Sequence, residues 1–91
     1  MPLVLISHAP SRELYERVAA EAHVESAPPQ GCIVHTASEL PDGTVRIVDV
    51  WESQAHVDEF ERTRLAAAFA AVGVPSGPPQ PEITEAFQIL R

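Results

Sequence analysis

Two side chains on neighbouring apolar segments of this chain could do chemistry together. They are His35, within Cys32-Ile33-Val34-His35-Thr36, and Asp49, within Arg46-Ile47-Val48-Asp49-Val50-Trp51. A carboxylate beside an imidazole fixes which ring nitrogen carries the proton and raises the basicity of the other. In a cavity that excludes water, such a pair is a general base for a phenol or an acidic C–H. The competing reading is structural: a polar pair that satisfies itself, because a buried carboxylate needs a partner whatever its function. Trp51, the only tryptophan, follows Asp49 by two residues and shares its face of a strand. It either walls a ligand cavity and offers one N–H, or serves as core beneath covering helices.

Whether His35 and Asp49 meet depends on the turn between them. Leu40-Pro41-Asp42-Gly43-Thr44 has Pro at the first central position, Asp at the second, and Gly where a left-handed residue is needed. This chemistry predicts a three-residue hairpin loop with a G1 bulge. Leu40 then pairs with Thr44, His35 lies opposite Asp49, and Ile33 lies opposite Trp51. Those four side chains share one face with Ala37 and Ile47. A two-residue loop would slip the register by one and separate His35 from Asp49 across the sheet. The other face collects Val34, Val48, Val50, Thr36 and Cys32, with Ser38 and Arg46 near the turn. A strand apolar on both faces must be covered on both. The more uniformly apolar Val34/Val48/Val50 face is assigned to a partner subunit, and the His35–Asp49–Trp51 face to helices.

The elements that position these residues follow from periodicity and punctuation. Leu3 to Ile6 is a first strand. Pro10 and Ser11 open a helix whose stripe is Leu14, Tyr15, Val18 and Ala22, ending near His23. A loop with two adjacent prolines leads to a strand over Cys32 to Glu39, and the next runs from Val45 to Trp51. Ser53 caps a second helix reaching about Val72, stopped by Gly73 and Pro75. A proline-rich loop over residues 76–81 precedes a last strand, Ile83 to Leu90. The order β-α-β-β-α-β is that of a ferredoxin-like α+β unit with a four-stranded antiparallel sheet. Its two helices cover one sheet face only. Residues 1–91 read as one domain without repeats or linkers.

Other polar positions are weighed against this frame. Tyr15 could turn its hydroxyl into the cavity, or lean to the edge of its stripe and meet solvent. Glu61 and Arg64 interrupt the inner stripe of the second helix; with Val57 and Ala68 inward, both fall within about 40° of that direction. An inward Arg64 could bind an anionic or carbonyl group. The plainer arrangement lays its stem over apolar surface with the head in water. His8, His23 and His56 are not at metal-ligand spacing, so no metal site is expected. Cys32 has no basic neighbour in sequence and reads as an inert buried thiol.

Composition bounds the partners. The chain has 91 residues, 45% of them hydrophobic, and 13 acidic residues against six arginines, for a net charge of −7. No basic stripe exists for nucleic acid, and an anionic membrane surface would repel the chain. One cysteine cannot form an internal disulfide, and no apolar run approaches the roughly 20 residues of a membrane span. No N-terminal signal pattern is present, so a cytoplasmic location is expected. A domain this short buries only about 60–65% of its unfolded surface, which makes a second subunit a natural covering.

The residues resemble a known family, the dimeric α+β barrel proteins that include the antibiotic-biosynthesis monooxygenase-like group. The resemblance lies in Tyr15, Pro28-Pro29-x-Gly31, His35, Asp49-Val50-Trp51-Glu52-Ser53, Phe60, Arg64-Leu65 and Gly73-Val74-Pro75, and spans nearly the whole chain. It implies two sheets packed face to face in a homodimer, with a small cavity between each sheet and its helices. Some members oxidise phenolic or quinone-like substrates with neither metal nor flavin, so no cofactor is called for; others degrade haem, and others have no assigned activity. The expected function is a pocket for a small apolar, aromatic or polyketide-like molecule. If the chain is an enzyme, cofactor-independent oxygenation or another proton abstraction of secondary metabolism is favoured. His35 would be the base and Asp49 its orienter, with Trp51, Tyr15, Ile33, Ile47 and Arg64 around the substrate. The alternative is a non-catalytic binding or accessory dimer. Haem degradation is disfavoured, because six arginines on an acidic chain leave few partners for haem carboxylates.

Overall fold

A computed structural model describes residues 1–74 and 80–91 of the chain. Its elements are β1 (Leu3–Ala9), α1 (Arg12–Ala22), β2 (Cys32–Glu39), β3 (Val45–Trp51), α2 (Gln54–Phe60), a π-helical segment (Glu61–Leu65), α3 (Ala66–Val72) and β4 (Glu82–Glu85). The strands form one antiparallel sheet in the order β2-β3-β1-β4, the ferredoxin-like arrangement.

Local chemistry accounts for most boundaries. Ser11 accepts a hydrogen bond from the Leu14 N–H at 3.1 Å and so starts α1. His23 ends it in the left-handed conformation, φ 57°. Ser53 caps α2 by accepting from the His56 N–H at 3.3 Å. The residues joining α2, the π segment and α3 are all right-handed helical, so residues 54–72 form one continuous rod, closed by Gly73. The proline-rich loop expected beyond it falls largely on residues 75–79, outside the described residues.

The β2–β3 turn is the three-residue loop the sequence predicts. The Leu40 N–H donates to the Thr44 carbonyl at 2.8 Å, the Gly43 N–H donates to the Leu40 carbonyl at 2.9 Å, and Gly43 sits at φ 88°. Asp42 Oδ1 holds the turn by accepting from the Thr44 N–H at 3.0 Å and its hydroxyl at 2.6 Å. His35 is accordingly paired with Asp49.

Three expectations are corrected. Cys32, not Ile33, pairs with Trp51, because a bulge between Cys32 and Val34 inserts one residue into β2. The bulge flips Cys32 from the outer face to the helix side, where it packs with Leu3 and Phe60 against Leu5, Trp51 and Val57. The strand enters there through Gly31, φ 87°, whose Cα lies so close to the His56 ring that a Cβ would overlap it. Next, β1 extends past Ile6 to Ala9, which pairs with Val45. Finally, β4 stops at Glu85 rather than reaching Leu90. Its ladder with β1 ends at Leu3–Glu85, and Pro2 accepts from the Ala86 N–H at 2.9 Å but has no N–H to return. Phe87 and Leu90 are left 95% and 86% exposed.

The core lies between sheet and helices in two clusters, Leu5–Trp51–Val57 and Val18–Ala22–Ala68, with Phe60 packed against both. Burying each larger side chain there contributes about 1.5–3 kcal/mol. The opposite sheet face presents two rows, Val34–Val50–Val4–Thr84 and Thr36–Val48–Ile6–Glu82. Val34 is 45% exposed on it. Among the described residues no helix is long and apolar enough to cross a membrane.

Candidate active site

The hairpin register puts His35 and Asp49 side by side on the helix-facing surface of the sheet. His35 Nδ1 lies 2.6 Å from Asp49 Oδ1. A carboxylate only accepts, so Nδ1 carries the proton and Nε2 is the bare nitrogen of the neutral ring. Tyr15, from α1, places its hydroxyl 2.5 Å from that Nε2, and therefore donates to it. The two rings lie nearly parallel, 13° apart, with centroids at 6.1 Å. On the other side Trp51 Nε1 donates to Asp49 Oδ2 at 3.4 Å. A continuous line of hydrogen bonds thus runs from Tyr15 through His35 and Asp49 to Trp51. The carboxylate sits deep in it: the Asp49 side chain is 15% exposed and that of His35 37%.

The electrostatics follow from this order. The hydrogen bond that His35 donates to Asp49 pushes the imidazole pKa up, against the opposing effect of burial. Burial first, and the Asp49 charge second, push the Tyr15 phenol up. Tyr15 is therefore held as a neutral hydroxyl beside a strengthened base. Cys32 is pushed up to about 11, by burial and then by Asp49, which agrees with an inert thiol.

Two lobes of a cavity meet at this line. The inner lobe, about 160 Å³, lies between the sheet and both helices and is lined by Leu5, Leu14, Ile47, Trp51 and Phe69 around Tyr15, His35 and Asp49. The outer lobe, about 390 Å³, opens past Pro28, Pro29, Cys32 and Ile33. Val24, His35, Asp49, Trp51 and Phe60 face both. A dry apolar cavity of about 150 Å³ holds one benzene ring, so the inner lobe is sized for a single ring and the outer for its extension.

The residues singled out in sequence are placed as follows. His35, Asp49, Tyr15, Trp51 and Ile47 surround the inner lobe, and Ile33 lines the outer one although it does not pair with Trp51. Trp51 is both wall and core, 3% exposed, its ring centroid 5.6 Å from that of Phe60. Arg64 is corrected: it lines neither lobe. Its Nη2 donates to the carbonyls of Ala22 at 2.6 Å, His23 at 3.1 Å and Ala27 at 2.6 Å, and the guanidinium lies 5.4 Å from the Phe60 ring centroid. It binds carbonyls, but those of the C-terminal end of α1, where the helix dipole favours a cation. Two features escaped the sequence reading. One is the direct bond of Tyr15 to His35, which spacing cannot show. The other is Glu61, which lines the inner lobe; its place on the inward stripe was the available signal. Among the described residues no three His, Cys, Asp or Glu side chains converge as metal ligands.

No family model matches the chain, and no curated protein does. Solved structures do resemble it. A candidate antibiotic biosynthesis monooxygenase from Chloroflexus aurantiacus superposes with a TM-score of 0.71 at 17% identity, over 100% of this chain and 98% of the other. A second, from Deinococcus radiodurans, gives 0.61 at 19% identity, over 100% and 97%. A protein of unknown function from Nitrosomonas europaea gives 0.64 at 20% identity, over 99% and 90%. At these identities the likeness is one of fold, and the chain carries the fold of the antibiotic biosynthesis monooxygenase-like α+β proteins.

Proposed function

We propose that the chain binds a small aromatic or polyketide-like molecule in this cavity and that His35 draws a proton from it. The observation that carries the reading is the line Tyr15 Oη–His35 Nε2–Asp49 Oδ1, at 2.5 and 2.6 Å, set against apolar walls. Because Tyr15 occupies Nε2, the transfer passes through it. A ligand hydroxyl or acidic C–H gives its proton to Tyr15 Oη as the tyrosine proton moves to Nε2, and Asp49 stabilises the imidazolium that results. The ligand becomes an electron-rich anion in a water-poor site. An anion of this kind can be oxidised directly by O₂: a ring CH₂ and O₂ yield a ring C=O and water, with atoms and electrons balanced. Two proteins of the same fold, both candidate antibiotic biosynthesis monooxygenases, support this class of reaction.

A second reading is favoured by one feature. The base nitrogen is already hydrogen-bonded by Tyr15, as expected of a pair that serves a binding site and performs no chemistry. Oxygen uptake with an anthrone-type substrate separates the two. Turnover by the wild-type chain that falls at least ~100-fold in His35→Ala supports the base, in line with general-base contributions. Full turnover in His35→Ala overturns it, and tight binding without turnover leaves the binding protein.

The same reading makes the chain a homodimer through the Val34–Val50–Val4 and Thr36–Val48–Ile6 rows, an apolar face with no covering layer among the described residues. Light scattering at micromolar concentration should then return about twice the 9.9 kDa chain mass. A monomer would contradict it.

A further inference from the structure

The walls of the cavity limit what can occupy it. Asp49 and Glu61 border the inner lobe and Glu25 the outer, while no arginine borders either. The chain has no lysine. Arg64, the cation expected there from its place on the stripe, is committed to three backbone carbonyls. His35 is committed to Asp49, which leaves His8 as the remaining lining base. A ligand carboxylate would enter an acid-lined, largely apolar space in which His8 is the one basic side chain not already paired, which is costly.

Of the inner lobe's polar side chains, Ser7, His8 and Glu61 make no side-chain hydrogen bond among the described residues, and Glu61 is the one that comes from the second helix. It starts the π-helical segment, a wide turn of the kind that recurs at functional sites. Its carboxyl is half-buried, and among the described residues no hydrogen bond reaches it. Burial first, and the charge of Asp58 one turn earlier second, raise its pKa. A carboxyl in this position is satisfied best by a donor carried in with the ligand. Tyr15 and His35 take the first ligand hydroxyl at the sheet; Glu61 faces the same lobe from the second helix and is free to take another.

We infer that Glu61 sets the specificity of this cavity, selecting an uncharged ring system that carries a second hydroxyl and rejecting ring carboxylates. This rests on the ligand reading above and narrows it to polyhydroxylated aromatics.

The test is calorimetric titration of the full chain with 1-naphthol, a panel of dihydroxynaphthalenes and a hydroxynaphthoate. The best diol should bind at least ~10-fold tighter than 1-naphthol, the size of one hydrogen bond to a charged acceptor, and the hydroxynaphthoate weakest of all. In Glu61→Leu the ratio of diol to 1-naphthol affinity should fall to about one. In Glu61→Gln, which keeps one acceptor oxygen, part of the advantage should remain. Equal affinity of diol and 1-naphthol for the wild-type chain overturns the inference, as does a hydroxynaphthoate that binds like the diol. A uniform loss for every ligand in both variants overturns it too, by assigning Glu61 a structural role. Absence of any binding to the wild-type chain overturns the ligand reading itself, whereas binding without discrimination overturns only the role of Glu61.

Discussion

Replacing Arg64 by Met tests whether that side chain holds the fold or meets the ligand. Met keeps most of the apolar stem and removes the guanidinium that lies over the Phe60 ring. The Nη2 atom has two hydrogens for three carbonyls, so the 2.6 Å bonds to Ala22 and Ala27 take one each and the 3.1 Å contact to His23 is shared. The carbonyls of His23 and Ala27 are exposed and water replaces their partner at little cost. Ala22 is 2% exposed, and leaving its carbonyl unpartnered costs about 1–2 kcal/mol. Loss of the cation–π contact with Phe60 adds about 0.5 kcal/mol and loss of charge at the end of α1 another ~0.5. The total is about 2–3 kcal/mol, a fall in melting temperature of roughly 10–20 °C for a domain this size. Thermal and urea unfolding followed by circular dichroism measure it. Arg64→Lys should recover only part, because the lysine nitrogen sits one bond nearer the backbone than Nη2 and falls short of the three carbonyls. A fall under about 3 °C, or unchanged stability with a selective loss of affinity for anionic ligands, would refute the clamp and return Arg64 to the site.

Other consequences are equally direct. Gly31→Ala forces a Cβ into the His56 ring and strains a backbone at φ 87°, so urea unfolding should show a loss of about 2 kcal/mol or more; a neutral substitution would mean that the β2 entry is not closely packed. The His35 pKa is raised above its ordinary 6.5, so the stability it contributes is full below that value and lost as pH rises through the folded one. The stability gap between wild type and Asp49→Asn should therefore be widest near pH 5.5–6 and narrow towards pH 9; a gap that widens with pH contradicts the pairing. Cys32, held at about 11 against an ordinary 9.0, should react with iodoacetamide at pH 8 on the order of 100-fold more slowly than after unfolding in urea. Equal rates would place the thiol at the surface.

Much of the fold was readable because local interactions decide it. The Pro41-Asp42-Gly43 turn carries its own conformational preferences, and a hairpin register follows from its turn, so the pairing of His35 with Asp49 could be derived from five residues. Ser11 and Ser53 cap helices through bonds to N–H groups three residues on, and these too are sequence-local. Apolar periodicity then settled which face of each element lies inward. The departures all involve partners distant in sequence. The bulge that turns Cys32 inward depends on Gly31 approaching a histidine 25 positions later. The length of β4 depends on where β1 stops offering N–H groups, at Pro2.

The site divides along the same line. Sequence by itself determined that an imidazole and a carboxylate share a helix-covered sheet face with a tryptophan, because strand alternation and one turn are enough to say so. Only the tertiary structure decided what meets them. Tyr15 could have leaned to solvent from its stripe, and the packing of α1 on the sheet carries it to Nε2 of His35. Arg64 and Glu61 held similar angular positions on one helix, yet the long, flexible arginine reaches the unsatisfied carbonyls of α1 while the shorter glutamate stays at the cavity wall. Helical angle is a property of the local chain. Which group then finds a donor, a carbonyl or empty space is set by the element packed across from it.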